Sequence, residues 1–219
     1  IYTSIDIGTY SIKFVVGEYF NDKINILAAH TVPSKGLKKG LIVEPNILVD
    51  AIRDGMKEIN DMLGIEIKKV IVNVPSYNSK FLLVDGEVDI KNEHGFVTSD
   101  DVNHVIKTSV YNKLDPDYEL VTVLPIEYSI DDSEGISKPV GKSGQKLEIK
   151  GIMVSTPKKN IYSVLSVIEG AGLEVVDITF SGIGDYYEVR NSNLDKKIGV
   201  VINIGHETTN VSVFNRGKL

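Results

Sequence analysis

The chain has 219 residues, 42% of them hydrophobic and 25% charged, with a formal net charge of −6 and no cysteine. That apolar content excludes disorder of the whole chain and suffices for one to two domains with a sizeable core. The acidity excludes a general electrostatic attraction to nucleic acid or an anionic membrane surface, and the lack of cysteine removes disulfides, thiolate metal sites and a cysteine nucleophile together.

Residues 2–7 form a short apolar run ending at Gly8 and read as a buried strand. Two β-branched runs follow, 12–18 and 24–32, separated by Asn21-Asp22, which makes an antiparallel meander of three strands. Residues 33–40 read as a loop, and its three lysines in positions 35–39 as a solvated stretch. A helix is expected over 46–63, where Leu48, Ile52, Met56, Ile59 and Leu63 recur at helical spacing and Gly64 supplies the stop. A strand over 69–74 completes a βββαβ order, with the helix as a crossover.

The pattern then changes. A strand over 81–90 precedes a helix over 99–111, with Thr98 as its N-cap and Asp101 as the reciprocal partner. Residues 120–130 read as a strand interrupted by Pro125, hence an edge or a bulge. A polar stretch over 131–145 leads to a strand over 146–155, and this β-α-β-β block reads as a small inserted α+β subdomain. Thr156-Pro157 is expected to open the next helix, with Thr156 as cap and Pro157 at the first helical position. Gly172 ends it, and a strand over 173–179, a short helix over 184–190 and a hairpin of 198–204 with 210–214 follow. The start at Ile1 and the stop just after a strand and turn read as a fragment, with no signal peptide and no apolar run near the ~20 residues of a membrane helix.

The chemistry lies in an imperfect repeat. Ile5-Asp6-Ile7-Gly8 returns as Ile202-Asn203-Ile204-Gly205, 197 residues later, each time between two apolar strands. Glycine at a hairpin tip lets backbone N–H groups approach an anion, and successive N–H groups form an anion-binding concavity. Thr9, Ser11, Thr208 and Thr209 add hydroxyls, Lys13 adds a positive charge, and Asp6 places a carboxylate suited to hydrated Mg²⁺. Two such hairpins facing each other would clamp the phosphates of a nucleotide. One copy alone is a common turn; the pair after a βββαβ unit carries the reading. His30, His94 and His104 are scattered without metal-ligand spacing, His206 sits in a polar turn, and Tyr186-Tyr187 reads as helix packing.

Asp6-Ile7-Gly8-Thr9-Tyr10-Ser11-Ile12-Lys13 resembles the first phosphate motif of the actin-like ATPases, and Asn203-Ile204-Gly205-His206-Glu207-Thr208-Thr209-Asn210 the second. Lys38-Lys39-Gly40-Leu41-Ile42-Val43, Val123-Leu124-Pro125-Ile126-Glu127-Tyr128 and the run from Pro139 through Gly144 to Glu148 narrow the resemblance to the N-terminal half of the FtsA family of bacterial cell-division proteins. The resemblance runs in order along the whole chain. It implies an α/β, actin-like ATPase (ribonuclease-H-like) fold with an inserted α+β subdomain and a truncated second half. The implied division is 1–78 for the first actin-like part, 79–155 for the insert, 156–192 for the return and connecting helix, and 193–219 for the start of the second half.

By the same resemblance, Gly8, Thr9, Tyr10, Ser11 and Lys13 would contact the phosphates of ATP from one side, and Gly205, His206, Thr208 and Thr209 from the other. Asp6 and Asn203 would organise Mg²⁺ through water, and Glu188 could position an attacking water. The implied role is an adaptor at the cytoplasmic face of the cell membrane at the division site. It would bind FtsZ through a region beyond Leu219, self-associate into filaments partly through the insert, recruit other division proteins, and reach the inner membrane face by a C-terminal helix that this sequence lacks. No nucleic acid is implied.

The second motif departs from the family pattern Asp-x-Gly-Gly-Gly-Thr-Thr-Asp: both end aspartates are asparagines, and the second and third glycines are His206 and Glu207. A weaker metal site follows, and Glu207 would repel phosphate unless it points away. Nucleotide binding with slow or negligible hydrolysis is therefore expected. The competing reading is a sugar- or acetate-kinase-like phosphotransferase of the same superfamily, which needs a carboxylate base. Asp131-Asp132 is the best candidate in the insert and reads as a solvated loop. A pilus component or chaperone ATPase is a third reading, against which the insert motifs argue.

Overall fold

A computed structural model describes residues 1–91 and 95–219; His94 lies outside the described residues. The chain opens with β1 (Tyr2–Ile7), β2 (Ser11–Phe20) and β3 (Lys23–Pro33), paired antiparallel in sequence order. Asn21 and Asp22 take the left-handed conformation that a tight turn between twisted strands requires. A small hairpin, β4 (Leu37–Lys38) and β5 (Leu41–Ile42), occupies the stretch expected as plain loop. Helix α1 (Pro45–Leu63) then crosses to β6 (Lys69–Asn73), which pairs parallel to β1. Gly64 closes the helix in the left-handed conformation, its N–H on the Asn60 carbonyl.

After a second unit the chain returns through α3 (Lys158–Gly170) to β11 (Glu174–Thr179), which lies parallel to β6. The five-stranded sheet is ordered β11-β6-β1-β2-β3. Alternation sends Ile5, Ile7, Ile12, Phe14 and Val16 to one face, where they share a core with Leu48, Ile52 and Ile59 of α1 and Ile161, Val164 and Ile168 of α3. Ser4, Asp6, Lys13, Ile71 and Asn73 line the cleft described below.

The second unit comprises β7 (Lys80–Asp89), α2 (Ser99–Val110), β8 (Tyr118–Ile130), β9 (Ser133–Ile136) and β10 (Lys146–Pro157), in a sheet ordered β7-β10-β8-β9. Its core is separate, built on Val88, Val97, Val105, Tyr128, Ile130, Leu147 and Ile149. Strand β9, inside the stretch expected to be merely polar, pairs with β8 only near Tyr128 and Ile130. Pro125 therefore sits where the outer side of β8 is unpaired, and the ladder to β10 slips beside it, so both readings of that proline hold. The carboxylate of Asp131 accepts from the amides of Gln145 and Lys146 and closes this corner.

Helix α2 is capped as its sequence predicts. The Asp101 amide donates to Thr98 Oγ1 at 3.2 Å, and the Thr98 amide donates to Asp101 Oδ2 at 2.8 Å. Thr98→Ala is expected to lower unfolding stability by about 1 kcal/mol in urea titrations. An unchanged midpoint would mean that the cap contributes nothing.

The start of α3 differs from expectation. Thr156 does not cap it; Thr156 and Pro157 are the last residues of β10, and Pro157 occupies the cap position with no side-chain bond. Thr156 is fully buried, and its hydroxyl is committed elsewhere, accepting from Ser79 Oγ at 3.0 Å and Asn160 Nδ2 at 2.9 Å. Asn160 Nδ2 also reaches the Pro75 and Tyr77 carbonyls at 3.2 and 2.8 Å. Both strands joining the two units are thus tied to one buried amide.

The chain ends with α4 (Ser181–Val189), a 3₁₀ turn (Leu194–Lys196) and the hairpin β12 (Ile198–Ile204) and β13 (Thr209–Asn215). Tyr186 is buried and stacks on Phe214 with centroids 3.8 Å apart, in keeping with its expected packing role. Its hydroxyl donates to Asp195 at 2.6 Å, and Arg190 pairs with the same carboxylate at 2.9 Å. These bonds, Tyr186 first and then Arg190, hold the Asp195 carboxyl below its ordinary range.

Candidate functional site: two facing hairpins

The hairpin β1–β2 and the hairpin β12–β13 are built alike. In the first, the Gly8 amide donates to the Ser11 carbonyl at 3.2 Å; in the second, the Gly205 amide donates to the Thr208 carbonyl at 2.8 Å. The registers agree too: Asp6 faces Lys13 across one ladder, and Asn203 faces Asn210 across the other. The 197-residue offset of the sequence repeat is therefore also a structural equivalence.

Both tips are tight against any side chain. A Cβ at Gly8 would stand 3.0 Å from the Ser11 carbonyl oxygen, and one at Gly205 2.9 Å from that of Thr208. Both are closer than ordinary packing allows. Among the described residues, the amides of Thr9, Tyr10, His206 and Glu207 enter no hydrogen bond, which leaves a row of donors at each tip.

Between the tips lies a cleft of about 720 Å³. Asp6, Gly8, Thr9, Tyr10, Ser11 and Lys13 line it from the first hairpin, and Asn203, Gly205, His206, Thr208 and Thr209 from the second. Lys13 Nζ pairs with Asp6 Oδ2 at 2.8 Å, both side chains about half exposed. The rings of Tyr10 and His206 meet across the cleft, their centroids 5.5 Å apart. Among the described residues no three of His, Cys, Asp and Glu gather as a metal-ligating group.

Glu207 does not line the cleft. Its Oε2 accepts from the backbone amide of Lys39 at 2.6 Å, so the carboxylate is turned onto the loop joining β4 and β5. Lys39 and Gly40 both have positive φ there, and a Cβ on Gly40 would touch Thr208. Glu188 is exposed on α4 and lies outside the cleft lining. The acidic residue that α4 brings into the cleft is Asp185, whose Oδ2 accepts from Asn203 Nδ2 at 2.7 Å.

Sequence reasoning missed Asp185, and also Asn73 and Ser76. Asn73 Oδ1 accepts from the Ile7 amide at 2.8 Å and fixes the end of β1, while Ser76 Oγ lies 3.5 Å from Asn210 Oδ1. Helix α4 begins at Ser181, three residues before the expected start. Starting it correctly from the end of β11 would have put position 185 in its second turn, beside the second hairpin.

Residues 78–155 match the family model described as the SHS2 domain inserted in FTSA. Over its whole length the chain is similar to cell division protein FtsA of Bacillus subtilis strain 168, with 30% identity across 220 residues, 100% of this chain and 50% of that protein. It is 28% identical to FtsA of Streptococcus pneumoniae serotype 2, covering 100% of this chain and 48% of that protein. For FtsA of Escherichia coli K12 the identity is 28%, over 98% of this chain and 51% of that protein. The chain spans about half the length of the curated relatives it matches. Among solved structures, a PilM-PilN type IV pilus biogenesis complex superposes with TM-score 0.63 at 16% identity, over 99% of this chain and 59% of that one. Ethanolamine utilization protein EutJ from Carboxydothermus hydrogenoformans gives TM-score 0.54 at 15% identity, over 99% of this chain and 48% of that one. At such identities these two establish the fold alone, which is the actin-like ATPase fold with an SHS2 insertion.

Proposed function

We propose that this chain, which resembles FtsA along its whole length and carries that protein's inserted SHS2 domain, is the phosphate-clamping half of an ATP-binding adaptor in bacterial cell division. The observation that carries the reading is the duplicated hairpin, with the same closing bond, the same register and a row of amide donors on each side of one cleft. The cleft has the volume of a small-molecule site. Thr9, Ser11, Thr208 and Thr209 offer hydroxyls, and Lys13 an ammonium, to the phosphates.

Glu207 is turned onto Lys39, which removes the repulsion its sequence position suggested. Bound Mg²⁺ would neutralise phosphate charge, and Asp6, which lines the cleft, would hold one of its waters. Since Asn203 carries no charge and Glu188 is outside the cleft lining, the reading is of a nucleotide that fixes conformation, with slow or negligible hydrolysis. The remainder of the adaptor role is proposed from the FtsA resemblance. It comprises FtsZ binding and membrane attachment through the half of the relatives that this chain does not span, and self-association and contacts with other division proteins through the SHS2 unit. The place of action would be the cytoplasmic membrane face at the division site.

The test is titration calorimetry with ATP on the protein at the length of its relatives, since the matched half carries only part of a nucleotide site. Saturable binding is expected. A folded protein that produces no binding heat, and whose melting temperature ATP does not raise, would remove ATP as the ligand.

A further inference from the structure

We infer that Asp185 carries the carboxylate that the second hairpin lacks, and that with Asp6 it sets the Mg²⁺ dependence of nucleotide binding. The inference rests on the nucleotide reading above. It starts from the repeat: the two hairpins share one register at the 197-residue offset, so Asn203 corresponds to Asp6. At the first hairpin the strand end holds a carboxylate paired with Lys13 at 2.8 Å. At the second it holds only an amide, faced across the ladder by another amide, Asn210.

The missing charge is one contact away. Asn203 Nδ2 donates to Asp185 Oδ2 at 2.7 Å, and Asp185 lines the same cleft as Asp6. No cation faces Asp185 in an ion pair among the described residues, and the amide of Asn203 satisfies only one of its oxygens. Its position is set by the packing of its helix. The next residue, Tyr186, is buried, stacked on Phe214 and bonded to Asp195, and Arg190 one turn on pairs with Asp195 as well. This anchors α4 to the hairpin that carries Asn203.

The donor set suits a hydrated hard cation: two carboxylates and an amide carbonyl, all oxygen, in a cleft that is also lined by the hydroxyl residues Thr9, Ser11, Thr208 and Thr209. With no three-residue ligand cluster among the described residues, a cation would be held by the phosphates and by water bonded to these carboxylates. Asn203 then acts as a positioning residue that orients Asp185.

The experiment measures ATP affinity by calorimetry with excess Mg²⁺ and with EDTA, on the protein at its relatives' length, for wild type, Asp185→Asn and the swap Asp185→Asn/Asn203→Asp. Asparagine at 185 keeps the shape and a hydrogen bond to Asn203, and a thermal melt of each variant without ligand checks folding. Wild type is expected to bind ATP more tightly with Mg²⁺. Asp185→Asn should lose about tenfold or more of that gain, the scale for a residue that holds metal-bound water, while affinity in EDTA stays level or rises. The swap should restore the gain by returning the charge to position 203. If Asp185→Asn keeps the wild-type gain, or if it loses affinity equally with and without Mg²⁺, the assignment is overturned while the nucleotide reading stands. No ATP binding by wild type under either condition would overturn both.

Discussion

Replacing Phe14 with alanine is expected to cost about 3–5 kcal/mol, the range for removing a fully buried aromatic ring. Phe14 is wholly inaccessible and lies on β2 beside Lys13, one side chain pointing into the core and the next into the cleft. Its ring rests directly on the backbone of α1 at Gly55, where an added Cβ would collide with ring carbons Cε2 and Cζ. Helix and sheet approach this closely because residue 55 has no side chain. The loss would be a large part of the ~5–15 kcal/mol that holds a typical domain together, and thermal melts should fall by roughly ten degrees or more. The pair also makes a sharper forecast. Gly55→Ala alone should destabilise by steric conflict with the ring, by about 1–3 kcal/mol. In the Phe14→Ala background that conflict vanishes, so the double variant should be clearly less damaged than the sum of the singles. Strict additivity in urea titrations would show that ring and helix are not in contact.

Lys13→Ala should weaken ATP binding by about tenfold or more, the equivalent of one charge-assisted hydrogen bond. Lys13 is the cation that the first hairpin brings to the cleft, and its ammonium stands near Gly8, where a Cβ would be 3.8 Å from Nζ. Its partner Asp6 is about half exposed, and so is Lys13 itself, so the ion pair contributes little to stability and the variant should fold normally. Calorimetry at two salt concentrations checks the charge: the wild-type advantage should shrink as salt rises. Unchanged affinity in the folded variant would place the phosphates elsewhere.

Much of the architecture was legible from local pattern. The alternation of Ile12, Phe14 and Val16, the helical stripe of Leu48, Ile52, Met56 and Ile59, the box Thr98–Asp101 and the stop at Gly64 each depend on residues a few positions apart. The repeated hairpin was legible because two copies 197 residues apart share the same spacing. What escaped depends on contacts distant in sequence. Thr156 looks like a cap beside Pro157, yet Ser79 and Asn160 claim its hydroxyl. Glu207 looks like a hazard to phosphate, yet Lys39, 168 residues away, takes its carboxylate. Asp185 and Glu188 both carry carboxylates and stand one helical turn apart, and it is the seating of the helix, with Tyr186 packed on Phe214, that leaves Asp185 lining the cleft and Glu188 outside it.

The junction at Asn160 has a mechanical consequence. The SHS2 unit leaves and rejoins the rest of the molecule on β7 and β10, neighbours in one antiparallel ladder that begins at Lys80 opposite Ser155. Tension on that unit would be shared by two covalent paths side by side. A ladder of this kind tears most easily when its mouth is pried open rung by rung. Here the mouth is stitched: Ser79 bonds Thr156, and Asn160 grips Pro75, Tyr77 and Thr156 together. Force arriving at the SHS2 unit would therefore pass into α3, and through it to the sheet that bears the first hairpin, before any rung opened.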